Sequence, residues 1–158
     1  MLKSLKIALP SFLIGAVAGA AGWYLFSPLF IDQVVDEVVI VSEESQVLAS
    51  GSFRDADRVH RGMGEASFVR QPDGRVELQL TGFEVTNGPD LKVYLSAHAD
   101  PERASDVTGN DWISLGALKG NVGDQTYTLP ADVDPADFNS VVIWCEAFSV
   151  LFSPAALA

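Results

Sequence analysis

From residue 66 to residue 85 the chain reads Ala-Ser-Phe-Val-Arg, Gln-Pro-Asp-Gly-Arg, then Val-Glu-Leu-Gln-Leu-Thr-Gly-Phe-Glu-Val. Pro72 presets one turn dihedral and Gly74 permits a positive φ, so the flanking runs are expected to fold back as a hairpin. Val76, Leu78, Leu80 and Gly82 alternate with Glu77, Gln79 and Thr81, which gives one buried and one wet face. Further β-prone runs follow at residues 47–53, 91–96, 112–118 and 125–129, punctuated by Asn87-Gly-Pro-Asp90, Lys119-Gly-Asn-Val-Gly123 and Pro130. Short strands at such close spacing predict an all-β fold, a single antiparallel β-sandwich or barrel-like domain over residues 47–158. Residues 140–152 are apolar on both faces and read as one central strand with a bend near Ser149. Residues 98–111 read as a long polar loop, and residues 132–137 as one turn of helix.

The N-terminal part follows another rule. Residues 7–30 carry no charge, and as a helix that run would extend about 36 Å, more than the roughly 30 Å of bilayer hydrocarbon. Pro10 and Pro28 fall near its ends, Trp23 and Tyr24 suit the far interface, and Lys3 and Lys6 suit the cytoplasmic side. Residues 1–30 therefore predict a signal-anchor transmembrane helix. The alternative is a signal peptide cut after Ala18-Gly-Ala20, but that end would expose Trp23, Leu25, Phe26, Leu29 and Phe30 to water. In either case the domain is extracytoplasmic, periplasmic or at the cell surface. Gly15 and Gly19 form a GxxxG pair, which packing alone explains. Residues 31–46, with Asp32, Asp36, Glu37, Glu43 and Glu44, look like an acidic stalk. Val34-Val35 and Val38-Val39-Ile40-Val41 leave a short strand or helix open there.

The formal net charge is −11, and Lys3 and Lys6 lie in the leader, so the remainder carries −13. Such a surface repels phosphate backbones, which argues against a nucleic-acid partner. Cys145 is the only cysteine, which excludes an intramolecular disulfide, a CxxC pair and a thiolate zinc cluster. On a strand it shares a face with Val141, Ile143 and Ala147, while Trp144, Glu146 and Phe148 point the other way. A buried cysteine behaves as a small hydrophobe; a reactive one needs an electropositive, partly open setting, and the nearest charge in sequence is Glu146. His60 is the candidate neighbour for orienting a thiolate or holding a metal, with a surface loop histidine as the plain alternative. His98 reads as an exposed loop residue. Cys145, His60, His98 and Met63 match the ligand types of a blue-copper site, yet no histidine or methionine follows Cys145. Asp132, Asp134 and Asp137 lack the spacing of an EF-hand. No nucleophile elbow, phosphate-binding glycine loop or paired-carboxylate signature is present, so nothing marks the chain as an enzyme by itself. Gly82, Gly88, Gly120 and Gly123 are expected to meet turn or bulge geometry.

Several separated stretches resemble the DM-thirteen domain family. They are Gly51-Ser-Phe53, His60 with Gly64, Asn87-Gly-Pro-Asp-Leu-Lys-Val-Tyr-Leu95, Leu118-Lys-Gly-Asn-Val-Gly-Asp-Gln-Thr-Tyr127, Leu129-Pro130, and Ser140-Val-Val-Ile-Trp-Cys145 with Phe148, Val150 and Phe152. The matches run in order over residues 47–157. The resemblance implies an extracytoplasmic β-domain with a proposed electron-transfer role. That role is centred on Cys145 as a free thiol or as a ligand to a prosthetic group such as haem. Related architectures join this domain to DOMON modules and membrane cytochromes, and this chain carries no such module. Ser153-Pro154 stands where a glycine is expected. The alternative function is a non-catalytic binding or adhesion module at the cell surface, using residues 98–111 and 87–90. The implied partners are the membrane and a redox or surface protein. One thiol cannot cycle to a disulfide alone; it needs a second chain, a small thiol, a sulfenic acid stage or a bound metal.

Overall fold

The computed structural model describes residues 2–27, 30–39 and 44–158. Two compact units are present, Met1–Ile31 and Asp32–Ala158. The first is helix α1, Leu2–Phe26, which holds Pro10 within its length. Residues 9–23 of α1 are uncharged. Among the described residues no helix is long and apolar enough to cross a membrane. Pro28, Ile40, Val41 and Glu43 lie outside the described residues, as do the side chains of Lys3, Lys6 and Tyr24.

The second unit is a β-sandwich of two four-stranded antiparallel sheets. Its strands are β1 Gln46–Ser52, β2 Gly62–Arg70, β3 Val76–Val85, β4 Leu91–Ser96, β5 Trp112–Ala117, β6 Gln125–Thr128, β7 Ser140–Cys145 and β8 Val150–Ala156. One sheet runs β1-β2-β3-β6, the other β5-β4-β7-β8. Along one side the sheets meet. Ser50 and Ala158 exchange both backbone hydrogen bonds, and Phe53 bridges Ala155. Of the expected alternatives, sandwich and barrel-like, two separate sheets make the sandwich. Phe68, Leu78, Leu80, Val93, Val141 and Ile143 are fully enclosed between the sheets. Among the described residues no buried side-chain nitrogen or oxygen lacks a partner.

Two expectations are corrected. The apolar run 140–152 is two strands joined by an exposed turn at residues 146–149, and Ser149 reaches a φ of 54°. No glycine, proline or asparagine marks that turn, and Phe148 in it is 69% exposed. The alternation in β3 also slips. Leu78 and Leu80 are buried, but so is Gln79, expected on the wet face; the next buried residues are Phe83 and Val85, and Gly82 itself is exposed. Gly82 has a φ of 54° opposite the irregularity between Met63 and Glu65, so a bulge there moves Phe83 onto the core face. The long loop holds a short helix α2, Ala104–Thr108, started by Asp106, whose carboxylate accepts the N–H groups of Glu102 and Arg103. Residues 135–137 form the expected helical turn, capped by Asp134 through the N–H of Ala136.

The stretch read as stalk or strand pairs with the domain over part of its length. Val34 makes a parallel bridge to Val122, and Val35 N–H donates to the Val122 carbonyl at 2.9 Å. Asn121 accepts from Gln33 N–H at 2.7 Å. Glu37 accepts from Lys119 Nζ at 2.8 Å and from Thr126 N–H at 2.8 Å. Lys119, then the Thr126 N–H, outweigh desolvation and lower the Glu37 carboxyl from its ordinary range. Gly123, with a φ of 103°, leaves room for this strap: a side chain there would collide with the Val35 carbonyl.

Candidate functional site

Cys145 ends β7, paired with Leu91 of β4 and Val150 of β8. Strand alternation turns it inward with Val141 and Ile143, while Val142 and Trp144 face outward. The expected alternation stops there, since Ala147 and Phe148 lie in the exposed turn. The thiol has no exposed surface. Its S–H donates to the carbonyl oxygen of Pro89 at 3.0 Å. The next N–H, of Glu146, donates to the Asp90 carbonyl at 3.2 Å. These two bonds pin residues 87–90, themselves only half-buried or exposed, over the end of β7. Gly88 is required by this close approach: a Cβ there would lie 2.7 Å from two ring carbons of Phe152.

His60 lies in the β1–β2 connection, where Asp57 organises the backbone. Asp57 Oδ1 accepts the N–H groups of Val59 and His60, and Oδ2 stands 2.7 Å from His60 Nδ1. The His60 ring first, then the two N–H groups, draw the Asp57 carboxyl down to about 2. The imidazole packs on Phe152, ring centroids 4.3 Å apart at 50°. Arg61 and Thr86 join the two loops: the Arg61 N–H donates to Thr86 Oγ1, and the Thr86 N–H to the Arg61 carbonyl. Cys145 and His60 therefore bond different partners. Phe152 touches the His60 ring and would meet a Cβ on Gly88, next to the proline that holds the sulfur.

The other sequence candidates lie apart from this arrangement. Met63 is 59% exposed on β2. His98 accepts from Asp100 N–H at 3.2 Å and supports a loop. Among the described residues no group of three or more His, Cys, Asp or Glu is placed to hold a metal ion. A haem does not fit the thiol as it is packed. An axial sulfur needs a free face, and this one has no exposed surface and gives its proton to Pro89.

Sequence reading missed the outer face of the sheet β5-β4-β7-β8. Tyr94 stacks on Trp112 with centroids 4.5 Å apart at 4°, and on Trp144 at 6.0 Å and 22°. Its hydroxyl donates to Glu146 Oε1 at 2.6 Å. Val107 of α2 and Leu151 cover the cluster. The signal was present in β4, where Lys92, Tyr94 and Ser96 share a face. Only the strand order reveals which residues flank them.

Two antiparallel sheets closed along one side, with a lone buried thiol latched to a loop at the end of a central strand, define a small cysteine-bearing β-sandwich module. The family model described as electron transfer DM13 matches residues 52–157, well over half of the chain, and the chain belongs to that family. Searches among curated proteins and among solved structures gave no significant match.

Proposed function

We propose that the chain is a membrane-anchored electron-transfer module working outside the cytoplasm, with Cys145 as its redox thiol and His60 as the neighbouring group. Family membership supports the electron-transfer role. The observation that carries the thiol reading is the latch itself. The carbonyl that accepts the S–H belongs to Pro89, in a loop that is only half-buried, so the buried sulfur lies under a surface loop. With that latch closed the S–H faces no base and is inert. Lifting residues 87–90 exposes the sulfur beside the loop that carries His60. The anchor rests on the sequence, on the uncharged run from residue 7 to residue 30. Lys3 and Lys6 set its N-terminus on the cytoplasmic side. Because a lone thiol needs a co-reactant, its oxidised form is a sulfenic acid or a mixed disulfide with a small thiol.

The test uses full-length protein in detergent, treated with dilute peroxide and glutathione under native conditions and read by intact mass. A glutathione adduct at Cys145, reversed by a dithiol and missing from Cys145→Ala, is the expected result. A thiol that reacts only after the domain has unfolded in urea overturns the thiol reading.

A further inference from the structure

Three strands bring Trp112, Tyr94 and Trp144 into one row. Tyr94 pairs directly with Ser114 of β5 and Val142 of β7. Trp112 lies opposite Ser96, two residues along β4 in one direction, and Trp144 opposite Lys92, two residues in the other. Diagonal neighbours at this offset are within reach of aromatic side chains. The rings accordingly form a continuous stack from the surface inward: Trp112 is 42% exposed, while Tyr94 and Trp144 are each 4% exposed.

Packing alone explains aromatic rings here, but it does not explain the phenol. A phenylalanine would fill the same space without a buried hydroxyl needing an acceptor. Tyr94 instead places its O–H 2.6 Å from a carboxylate oxygen, within the range of short, charge-assisted bonds. Glu146 is aligned from its other oxygen by Lys92 Nζ at 3.9 Å, and Lys92 is itself held by Asp90 at 2.8 Å. Burial, and then the Glu146 carboxylate, raise the Tyr94 phenol well above its ordinary range, so it enters any reaction with its proton in place.

A phenol that loses one electron becomes a strong acid, and oxidation near neutral pH requires an acceptor already within hydrogen-bond distance. Here that acceptor is present, and its side chain is 40% exposed, so the proton can pass on to water. We propose that this face is a second redox site, in which Tyr94 gives one electron through Trp112 to a one-electron oxidant, such as an oxidised metal complex, while its phenolic proton moves to Glu146. The Tyr94 O–H bond breaks and an O–H bond forms on Glu146 Oε1. The oxidant gains one electron, and Tyr94 is left as a neutral radical. A one-electron donor reverses the step and Glu146 returns the proton. Trp144 ends the stack and precedes Cys145 in β7, whose side chain lies on the opposite face of the strand. This site rests on the electron-transfer reading of the family but not on the reactivity of the thiol.

The experiment is flash oxidation of the full chain in detergent by photogenerated ruthenium(III) tris-bipyridine, in a Tyr24→Phe background that leaves Tyr94 and Tyr127 as the only tyrosines. Transient absorption and electron paramagnetic resonance are expected to show a neutral tyrosyl radical that Tyr94→Phe removes. Glu146→Gln should slow its formation by about 100-fold, the lower range for loss of a positioned proton acceptor, and should abolish the slowing seen in heavy water. Trp112→Phe should slow the step while keeping the isotope effect. Near-ultraviolet circular dichroism confirms that each variant retains the aromatic stack. A tyrosyl signal that survives Tyr94→Phe, or a rate and isotope effect unchanged in Glu146→Gln, overturns the proposal. Both readouts are blind to the sulfur, so a thiol that fails to react natively and a tyrosine that fails to oxidise are separate outcomes.

Discussion

Trp144 and Cys145 are consecutive residues of β7, yet they serve opposite faces with different chemistry. Inward, the Cys145 S–H meets the neutral carbonyl of Pro89 and has no exposed surface. Outward, Trp144 borders a phenol bonded to a carboxylate, in a stack that reaches solvent through Trp112. Proton movement makes the difference matter. A carbonyl stabilises a thiol without taking its proton, whereas a carboxylate is a base. The inner face therefore holds a thiol bonded to a neutral carbonyl beneath a loop, and the outer face a phenol with a basic partner already in place. The period-two geometry of a strand keeps the two environments apart over a single peptide bond.

The comparison breaks first if the outer cluster is not a genuine second core. Trp144→Ala should cost about 3–5 kcal/mol, as expected for removing an enclosed large aromatic, and should shift the urea midpoint accordingly at constant slope. A loss below about 1 kcal/mol, the size typical of surface changes, would reduce the stack to surface decoration. A sharper test of the inner face is Gly88→Ala. The added methyl meets the Phe152 ring and lies 3.0 Å from Leu91, so either the ring or the loop must move. Overpacking of this kind costs about 2 kcal/mol. Because the same loop carries Pro89, native maleimide labelling of Cys145 should accelerate along with the loss. Destabilisation without faster labelling would mean that the ring yields and the latch stays shut.

Much of this was readable from residues. The hairpin around Gln71–Arg75 follows from Pro72 and Gly74, and strands β3 and β4 occupy the β-prone runs 76–85 and 91–96. Inward placement of Cys145 with Val141 and Ile143 also follows from period two. What escaped reading depended on partners distant in sequence. The turn at residues 146–149 has none of the usual turn residues, and its positive φ falls on a serine. The Gly82 bulge is legible only against the opposing irregularity near Gly64. Asp32, Gln33 and Glu37 look like generic stalk acids and amides until Asn121, Lys119 and Thr126 are seen beside them. The aromatic row needs the order β5-β4-β7, which no local pattern encodes. For the thiol, sequence established that there is one, and the decisive facts, its burial and the Pro89 carbonyl, come from a loop 56 positions away.

The smallest expected effects contrast two buried tyrosines. Tyr127 donates to Gln125 Oε1 at 2.7 Å and accepts from Lys119 N–H at 2.9 Å, while Tyr94 donates to the half-exposed Glu146. Tyr127→Phe takes the acceptor from the Lys119 N–H and leaves the buried Gln125 Oε1 with only the Gly120 N–H at 3.4 Å, and should cost about 1–1.5 kcal/mol. Tyr94→Phe leaves a carboxylate that water can reach and should cost about 0.5 kcal/mol. Burial raises the Tyr127 phenol to about 12, against roughly 10 in an unfolded chain. The unfolded state therefore ionises first. Stability from Tyr127 is complete below about pH 10 and drains away as pH climbs toward the folded value. Urea midpoints at about pH 9 and about pH 11 should fall apart in the parent chain and draw together in Tyr127→Phe, which has no such proton to lose. Tyr94 is raised in the same direction, with its carboxylate partner as a second cause after burial. Tyr94→Phe should thus also flatten the alkaline fall while barely moving the midpoint near neutral pH. If it lowers stability near neutral pH as much as Tyr127→Phe does, the Tyr94 hydroxyl is a structural strut like its inner counterpart, and the contrast between the faces collapses.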